Sequence, residues 1–387
     1  MTVASSYIVA ARRSALGRVG GLHRNRRLAD LAAPIVEAVL ADAKLMPGDV
    51  DELIAGNATE GGNPARLISL AAGLPDTVAA LSIDRQCASG LDAIIAAVRL
   101  VQSGEAEIVV AGGAESLSTA PWRIARPRNL YQTPRFLTLD AGSSDVPEDA
   151  ALREVSELLP RRRGFDRWRQ DKVALRSHEK AEEAREARRF VGEIVPLRAN
   201  ADEARDQSST SPGLDDLEDM APFAPPDGTL TPGNTSSPHD GAAFVVVVSG
   251  RIWSKLGKPS ALRLVAAAAV GVAPKNEGEA PIEAMTKLYG QLNGFNRDQI
   301  GVLEISESSS AQELALAQSL DIDPERINPD GGAVARGHPL GAAGAVLVVR
   351  LFSRLVRAKS ADGPRYGVAT LGAAGGLGLA ALFESVS

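Results

Sequence analysis

Strand-length apolar runs alternate with helix-length segments twice in this chain, over residues 1–118 and again over 261–387. In the first stretch, residues 7–10, 51–56 and 108–111 read as strands. Residues 28–43 read as a helix with apolar side chains three and four apart, and 63–72 and 90–103 also read as helices. In the second stretch, 261–270, 302–306 and 365–371 read as strands, and 281–292, 310–319 and 342–358 as helices. This alternation predicts an α/β fold with a mostly parallel sheet covered by helices. At 387 residues the chain is long enough for two or three domains. Its 37 glycines and 4% aromatic content suit tight turns and close helix–sheet contacts.

Residues 119–240 break the pattern. Pro and Arg are frequent, 166–189 is charged helical text, and 200–237 is a long polar stretch rich in proline. This segment reads as an inserted loop or lid domain, because so long an irregular stretch is uncommon in a compact domain unless it is functional. Buried-strand text returns at Asp240-Gly-Ala-Ala-Phe-Val-Val-Val-Val. The expected organisation is a first half of residues 1–118 plus 241–258, the insertion 119–240, and a second half 259–387.

The single cysteine, Cys87, lies where strand-like text ends and a Gly/Ala-rich helix begins. At a helix start, free N–H groups and the positive end of the helix dipole are expected to favour thiolate. Gly337-His338-Pro339-Leu340-Gly341 opens a second small-residue helix in the same way. Each of these helices is followed by a strand that ends in glycines, a faint internal repeat that places Cys87 and His338 at equivalent turns facing one crevice. One Cys and one His suffice for nucleophilic acyl transfer. A lone cysteine excludes an internal disulfide and a Cys-rich metal site, and the four scattered histidines form no metal motif. The net charge of −6 gives no support for nucleic-acid binding, and no 18-residue apolar run suggests a membrane span. Without a recognisable leader text, a cytoplasmic protein is expected.

Arg85-Gln-Cys-Ala-Ser-Gly-Leu-Asp-Ala resembles the nucleophile loop of the thiolase family. Ala111-Gly-Gly-Ala-Glu-Ser-Leu-Ser resembles the segment leaving that family's first domain, and the stretch from Gly228 to Ala243 the return from its loop domain. Asn328-Pro-Asp-Gly-Gly-Ala-Val-Ala-Arg-Gly-His-Pro-Leu-Gly-Ala-Ala-Gly is similar to its His loop, and Gly367-Val-Ala-Thr-Leu-Gly-Ala-Ala-Gly-Gly-Leu-Gly to its last loop. The resemblance covers essentially the whole chain. It implies a thiolase fold in which two similar βαβ-type halves form a five-layered αβαβα core. It also implies a homodimer or tetramer, and a CoA-dependent acyltransferase with no covalently bound cofactor, coenzyme A and acyl-CoA being substrates.

The resemblance assigns roles residue by residue. Cys87 is the nucleophile and His338 its base. The oxyanion would be held by the Cys87 N–H and a last-loop N–H near Ala374, and Ser236 matches a CoA-contacting position. Several positions depart from the family. The second cysteine of its last loop is Gly372 here, the water-holding Asn is Ser306, and an aromatic ring is Ser309. These changes enlarge and polarise the pocket, so Ser236 and Ser309 are expected to meet substrate, and the acyl group is expected to be bulkier or more polar than acetyl. Without the second cysteine, the group that moves the α-proton in carbon–carbon chemistry is not evident. Glu307 is the nearest titratable residue in its loop, although a carboxylate bound to backbone is the commoner role there. The acceptors left open are thus CoA, a carbon nucleophile or water. The alternatives are an acyl-CoA thioesterase, or a catalytically silent subunit that binds acyl-CoA or a partner chain completing the site. The basic run from Arg161 to Arg169 reads as a solvated face or subunit contact, or as a contact to CoA phosphates.

Overall fold

The computed structural model describes residues 5–387 except 128, 135, 137–151, 198–203, 208–211 and 359–362. The chain begins with β1 (Ser6–Arg13), β2 (Gly17–Arg18), α1 (Leu28–Ala43), β3 (Glu52–Gly56), α2 (Pro64–Ala71), β4 (Ala79–Ile83), α3 (Ser89–Ser103) and β5 (Ile108–Glu115). The insertion carries α4 (Leu152–Arg163), α5 (Arg167–Glu186) and α6 (Leu214–Glu218). Next come β6 (His239–Ser249), α7 (Gly250–Lys255), β7 (Ala261–Gly271), α8 (Ala280–Gln291), β8 (Ile300–Ser306) and α9 (Ser310–Leu320). The chain closes with α10 (Ala333–Arg336), α11 (Leu340–Phe352), β9 (Tyr366–Ala373) and β10 (Leu377–Val386).

The strands run in the order β4-β3-β5-β6-β1-β7-β10-β9-β8, with β2 on β6. β1 and β7 share one register pair, Ile8 with Leu262, so two half-sheets meet at a narrow seam. Each half-sheet mirrors the other. β4, β3 and β5 are mutually parallel neighbours, β6 is antiparallel to β5, and β1 is antiparallel to β6. In the second half β8 and β9 are parallel, β10 is antiparallel to β9, and β7 is antiparallel to β10. A single parallel bridge from Leu303 to Ile327 stands where β4 would be.

Side-chain alternation builds the layers. Val245 and Val247 of β6 face an inner core with α3 and α11, whereas Val246 and Val248 face an outer core with α1 and α2. Likewise Leu379 and Phe383 of β10 point to α3 and α11, and Leu382 points outward to α8 and α9. Each fully buried Leu or Val of these layers contributes roughly 1.5–3 kcal/mol. The result is a five-layered αβαβα stack with α3 and α11 in the middle. Small residues let those helices start against each other. A Cβ on Gly90 would stand 2.7 Å from the Gly341 carbonyl, and one on Gly341 would stand 2.7 Å from the Asn57 Cα.

A buried ionic cluster ties the insertion to both halves. Arg13 of β1 bonds Glu193 at 2.8 Å and Asp206 at 2.5 Å, and Arg350 of α11 bonds Glu193 and Asp330. Burial works against the Glu193 charge, yet Arg350 and Arg13 hold its carboxyl below the usual range. No helix among the described residues is long and apolar enough to cross a membrane.

The sequence reading and the structure differ in four places. The sheet expected to be mostly parallel is mixed, because β1, β6, β7 and β10 run antiparallel to their neighbours and only β3–β4, β3–β5 and β8–β9 pair in parallel. The strand expected at 108–111 continues to Glu115. The helix expected over 342–358 ends its α-helical part at Phe352 and widens into a π turn over Ser353–Arg357. β10 carried no distinct strand signal, because an Ala-rich strand buried on both faces lacks polar alternation.

Candidate active site

The two turns meet at a cavity of about 460 Å³. Cys87, Ser236, Ser306, Ser309, His338, Gly372 and Ala374 all line it, together with Glu277, Gln312, Leu159 and Phe223.

Cys87 ends a stapled turn. The Arg85 N–H donates to Ser89 Oγ (2.8 Å), the Ser89 hydroxyl donates to the Gln86 carbonyl (2.5 Å), and Arg85 Nε pairs with Asp92 (2.7 Å). Gln86, just before Cys87, has φ +52°, a left-handed conformation uncommon for a side-chain-bearing residue and found where structure over-determines it. The expected thiolate is not what this setting favours. Burial pushes the Cys87 thiol up to about 12, although the Ala374 N–H and the thiol's own N–H work the other way. Desolvation of a charge outweighs a few N–H dipoles here. The resting group is therefore a thiol with two backbone donors at its sulfur.

His338 is held on several sides. Its main chain pairs with Ser237 (2.9 Å) and His239 (3.0 Å), and its Nδ1 bonds Ser306 Oγ at 2.9 Å. Burial pushes its imidazole down to about 4, and the neighbouring His239 adds to this. The ring is thus neutral at ordinary pH. With Nδ1 occupied by Ser306, Nε2 is the nitrogen left for proton transfer.

The other wall is the last loop and the strand β9 that leads into it. Gly372 lies in β9, opposite Gln312, and Ala374 aims its N–H at the thiol. Ser309 is buried at the start of α9 and its backbone bridges to Thr235. The Ser236 N–H donates to the Ser308 carbonyl at 3.0 Å.

Glu307 faces away from the cavity. Its carboxyl accepts the Val334 N–H (3.0 Å) and the Asn328 side-chain amide (2.9 Å), so it braces the loop before His338. The basic run is divided. Arg162 bonds Asn276 and Arg163 pairs with Glu279 at 3.1 Å.

Sequence reasoning missed Glu277. It sits in the 3₁₀ turn Pro274–Glu279 ahead of α8, a stretch without any motif in the sequence reading. Burial pushes its carboxyl up to about 7, against the pull of the Gly375 N–H.

The family model described as Thiolase, N-terminal domain matches residues 6–251, and that described as Thiolase, C-terminal domain matches residues 258–385. An acetyl-CoA acetyltransferase of Allochromatium vinosum is 34% identical over 394 residues, covering 97% of this chain and 98% of the relative. The crystal structure of the Bacillus anthracis acetyl-CoA acetyltransferase superposes with a TM-score of 0.91 at 33% identity, covering 99% of each chain. That of human mitochondrial 3-ketoacyl-CoA thiolase superposes with a TM-score of 0.89 at 29% identity, covering 100% of each chain.

Proposed function

The chain belongs to the thiolase family and is an acyltransferase using acyl-CoA, and from that premise we propose that it transfers the acyl group through Cys87 in two steps. In the first, the Cys87 sulfur attacks the thioester carbonyl carbon while its proton passes to His338 Nε2. The bond from that carbon to the CoA sulfur breaks, and the CoA thiolate takes the proton. The Cys87 and Ala374 N–H groups hold the oxyanion formed between these events. In the second step the acyl group passes from Cys87 to CoA or to a carbon nucleophile.

The observation that carries this reading is the convergence on the sulfur. A thiol kept protonated by burial lies in one cavity with a neutral imidazole and under two backbone donors. A protonated thiol needs a base, and a neutral imidazole is the form that can accept its proton. Ser306 orients that imidazole, while Ser236 and Ser309 contribute the polar wall met by substrate. The room left by Gly372 and the serine-rich wall support an acyl group larger or more polar than acetyl.

Intact-protein mass after incubation with a panel of acyl-CoAs tests the reading. The wild type gains one acyl mass and Cys87→Ala gains none. CoA binding without an adduct from any donor would overturn it in favour of a silent subunit. Steady CoA release without adduct or acceptor would favour a thioesterase. Acetyl as the best donor in the panel would sink the larger-acyl expectation alone.

A further inference from the structure

The carbon–carbon half-reaction of such an enzyme needs a group to take or give the proton on the α-carbon, and this chain has no second cysteine. The candidates closest to hand fail. Glu307 is saturated by Val334 and Asn328 and is not on the cavity. Ser306 is committed to His338, and a serine hydroxyl is too weak a base to take an α-proton directly. His338 serves the thiol.

Glu277 is placed differently. It lines the cavity with Cys87, Gly372 and Ala374. Its Oε2 is shielded from solvent and has no hydrogen-bond partner. Its charge bears on the Cys87 thiol, as does that of Glu115, which does not line the cavity. Neighbouring cations are engaged elsewhere, Arg162 on Asn276 and Arg163 on Glu279. Other buried carboxyls are tied down: Glu115 accepts from Asn57, Ala58 and Gly341, and Glu193 from Arg13 and Arg350. Glu304 also has unpartnered oxygens, but it sits beside Arg336 and Arg350, off the cavity. An unpartnered carboxyl oxygen on a residue that lines a substrate cavity is costly unless a ligand or a shift of the side chain uses it.

We propose that Glu277 is the acid–base catalytic residue of the carbon–carbon half-reaction, acting from the lining of the same cavity as Gly372, the position where a second cysteine is missing. This rests on acylation of Cys87. With Cys87 acylated, the Glu277 carboxylate takes a proton from the α-carbon of a second acyl-CoA. That carbon–hydrogen bond breaks, and its electron pair forms the new bond to the acyl carbon. The bond from the acyl carbon to the Cys87 sulfur then breaks, and the proton held by Glu277 returns to the sulfur. In the reverse direction, Glu277 as the carboxylic acid protonates the leaving enolate carbon. A carboxyl that titrates near neutrality populates both forms at working pH, as either direction requires.

The test separates the two half-reactions. Cys87 acylation is read by intact mass. α-Proton removal is read by deuterium uptake into the acetyl methyl of acetyl-CoA in D₂O, and bond formation or cleavage by condensation or thiolysis. Glu277→Gln is expected to acylate Cys87 at least as fast as wild type, while exchange and condensation fall by about 10²–10⁴-fold. Glu277→Asp, which keeps a carboxyl, is expected to lose less. A Cβ at Gly372 would meet Gln312 and Pro281 at 3.4 Å, ordinary contact, so a cysteine side chain can start there. Gly372→Cys added to Glu277→Gln is expected to restore part of the lost exchange, which a merely structural glutamate would not allow. Wild-type exchange in Glu277→Gln overturns the proposal. A wild type that acylates Cys87 yet neither exchanges nor condenses overturns it while sparing acyl transfer. A wild type that never acylates overturns both.

Discussion

The turns carrying Cys87 and His338 are equivalent in topology and unlike in how they are held. The first follows β4 and is fastened by neutral local hydrogen bonds and one partly exposed ion pair, Arg85 with Asp92. The second follows the single Ile327 bridge and is embedded. Its main chain is paired to the returning strand, Ser306 holds the ring, and the fully buried Arg350 lies in the helix that follows. Sulfur can be attacked or can attack over a broad range of directions. A planar imidazole with two distinct nitrogens works only if one is occupied and the other is aimed. On the proposed roles, the base needs a scaffold that the nucleophile does not.

The largest expected effect that sharpens this comparison is on chemistry. His338→Asn should slow Cys87 acylation by about 10²–10⁴-fold in stopped-flow assays of CoA release. A loss under tenfold would mean that the ring is not the base. Stability comes next. Glu193→Gln leaves Arg13 and Arg350 short of a counter-charge in the interior and should cost about 3–5 kcal/mol by urea denaturation. Asp92→Asn on the Cys87 turn should cost less than about 1 kcal/mol, because that pair is partly exposed. Equal losses would break the contrast between the turns.

The smallest expected effect on the chemistry is at Ser306. Ser306→Ala removes one hydrogen bond to the ring, worth about 1 kcal/mol, and should slow acylation several-fold without shifting its pH dependence. The wild-type profile itself has a definite sign. The His338 pKa is depressed in the fold from 6.5 to about 4, so the native state binds fewer protons than the unfolded chain between those values. Stability from this residue is complete above 6.5 and is lost as pH falls toward 4. His178, pushed to about 4 by burial, contributes with the same sign. Acylation should accordingly show no acid limb near 6.5, which a pH–rate profile between 5 and 8 checks.

Much of this site was legible in one dimension. Cys87 and His338 each announce themselves by a strand end, a tight turn and a small-residue helix. Ser306, Gly372 and Ala374 followed from the resemblance of whole loops. Glu277 could not be read this way. It lies in a short turn with no periodicity, and its place in the cavity depends on α8 packing under β7 and β10. The protonation of Cys87 was misread for a related reason. A helix start is a local feature, whereas the desolvation that overrules it comes from tertiary packing around the thiol.

Neighbouring residues alone determined the α/β alternation, the paired halves, the turns and the identity of the nucleophile and base candidates, because period, turn chemistry and capping act within a few positions. Tertiary structure alone decided which carboxyl lines the cavity, which nitrogen of His338 is occupied and that burial holds the proton on Cys87. Those outcomes depend on burial and on partners hundreds of residues away, and no local pattern encodes them.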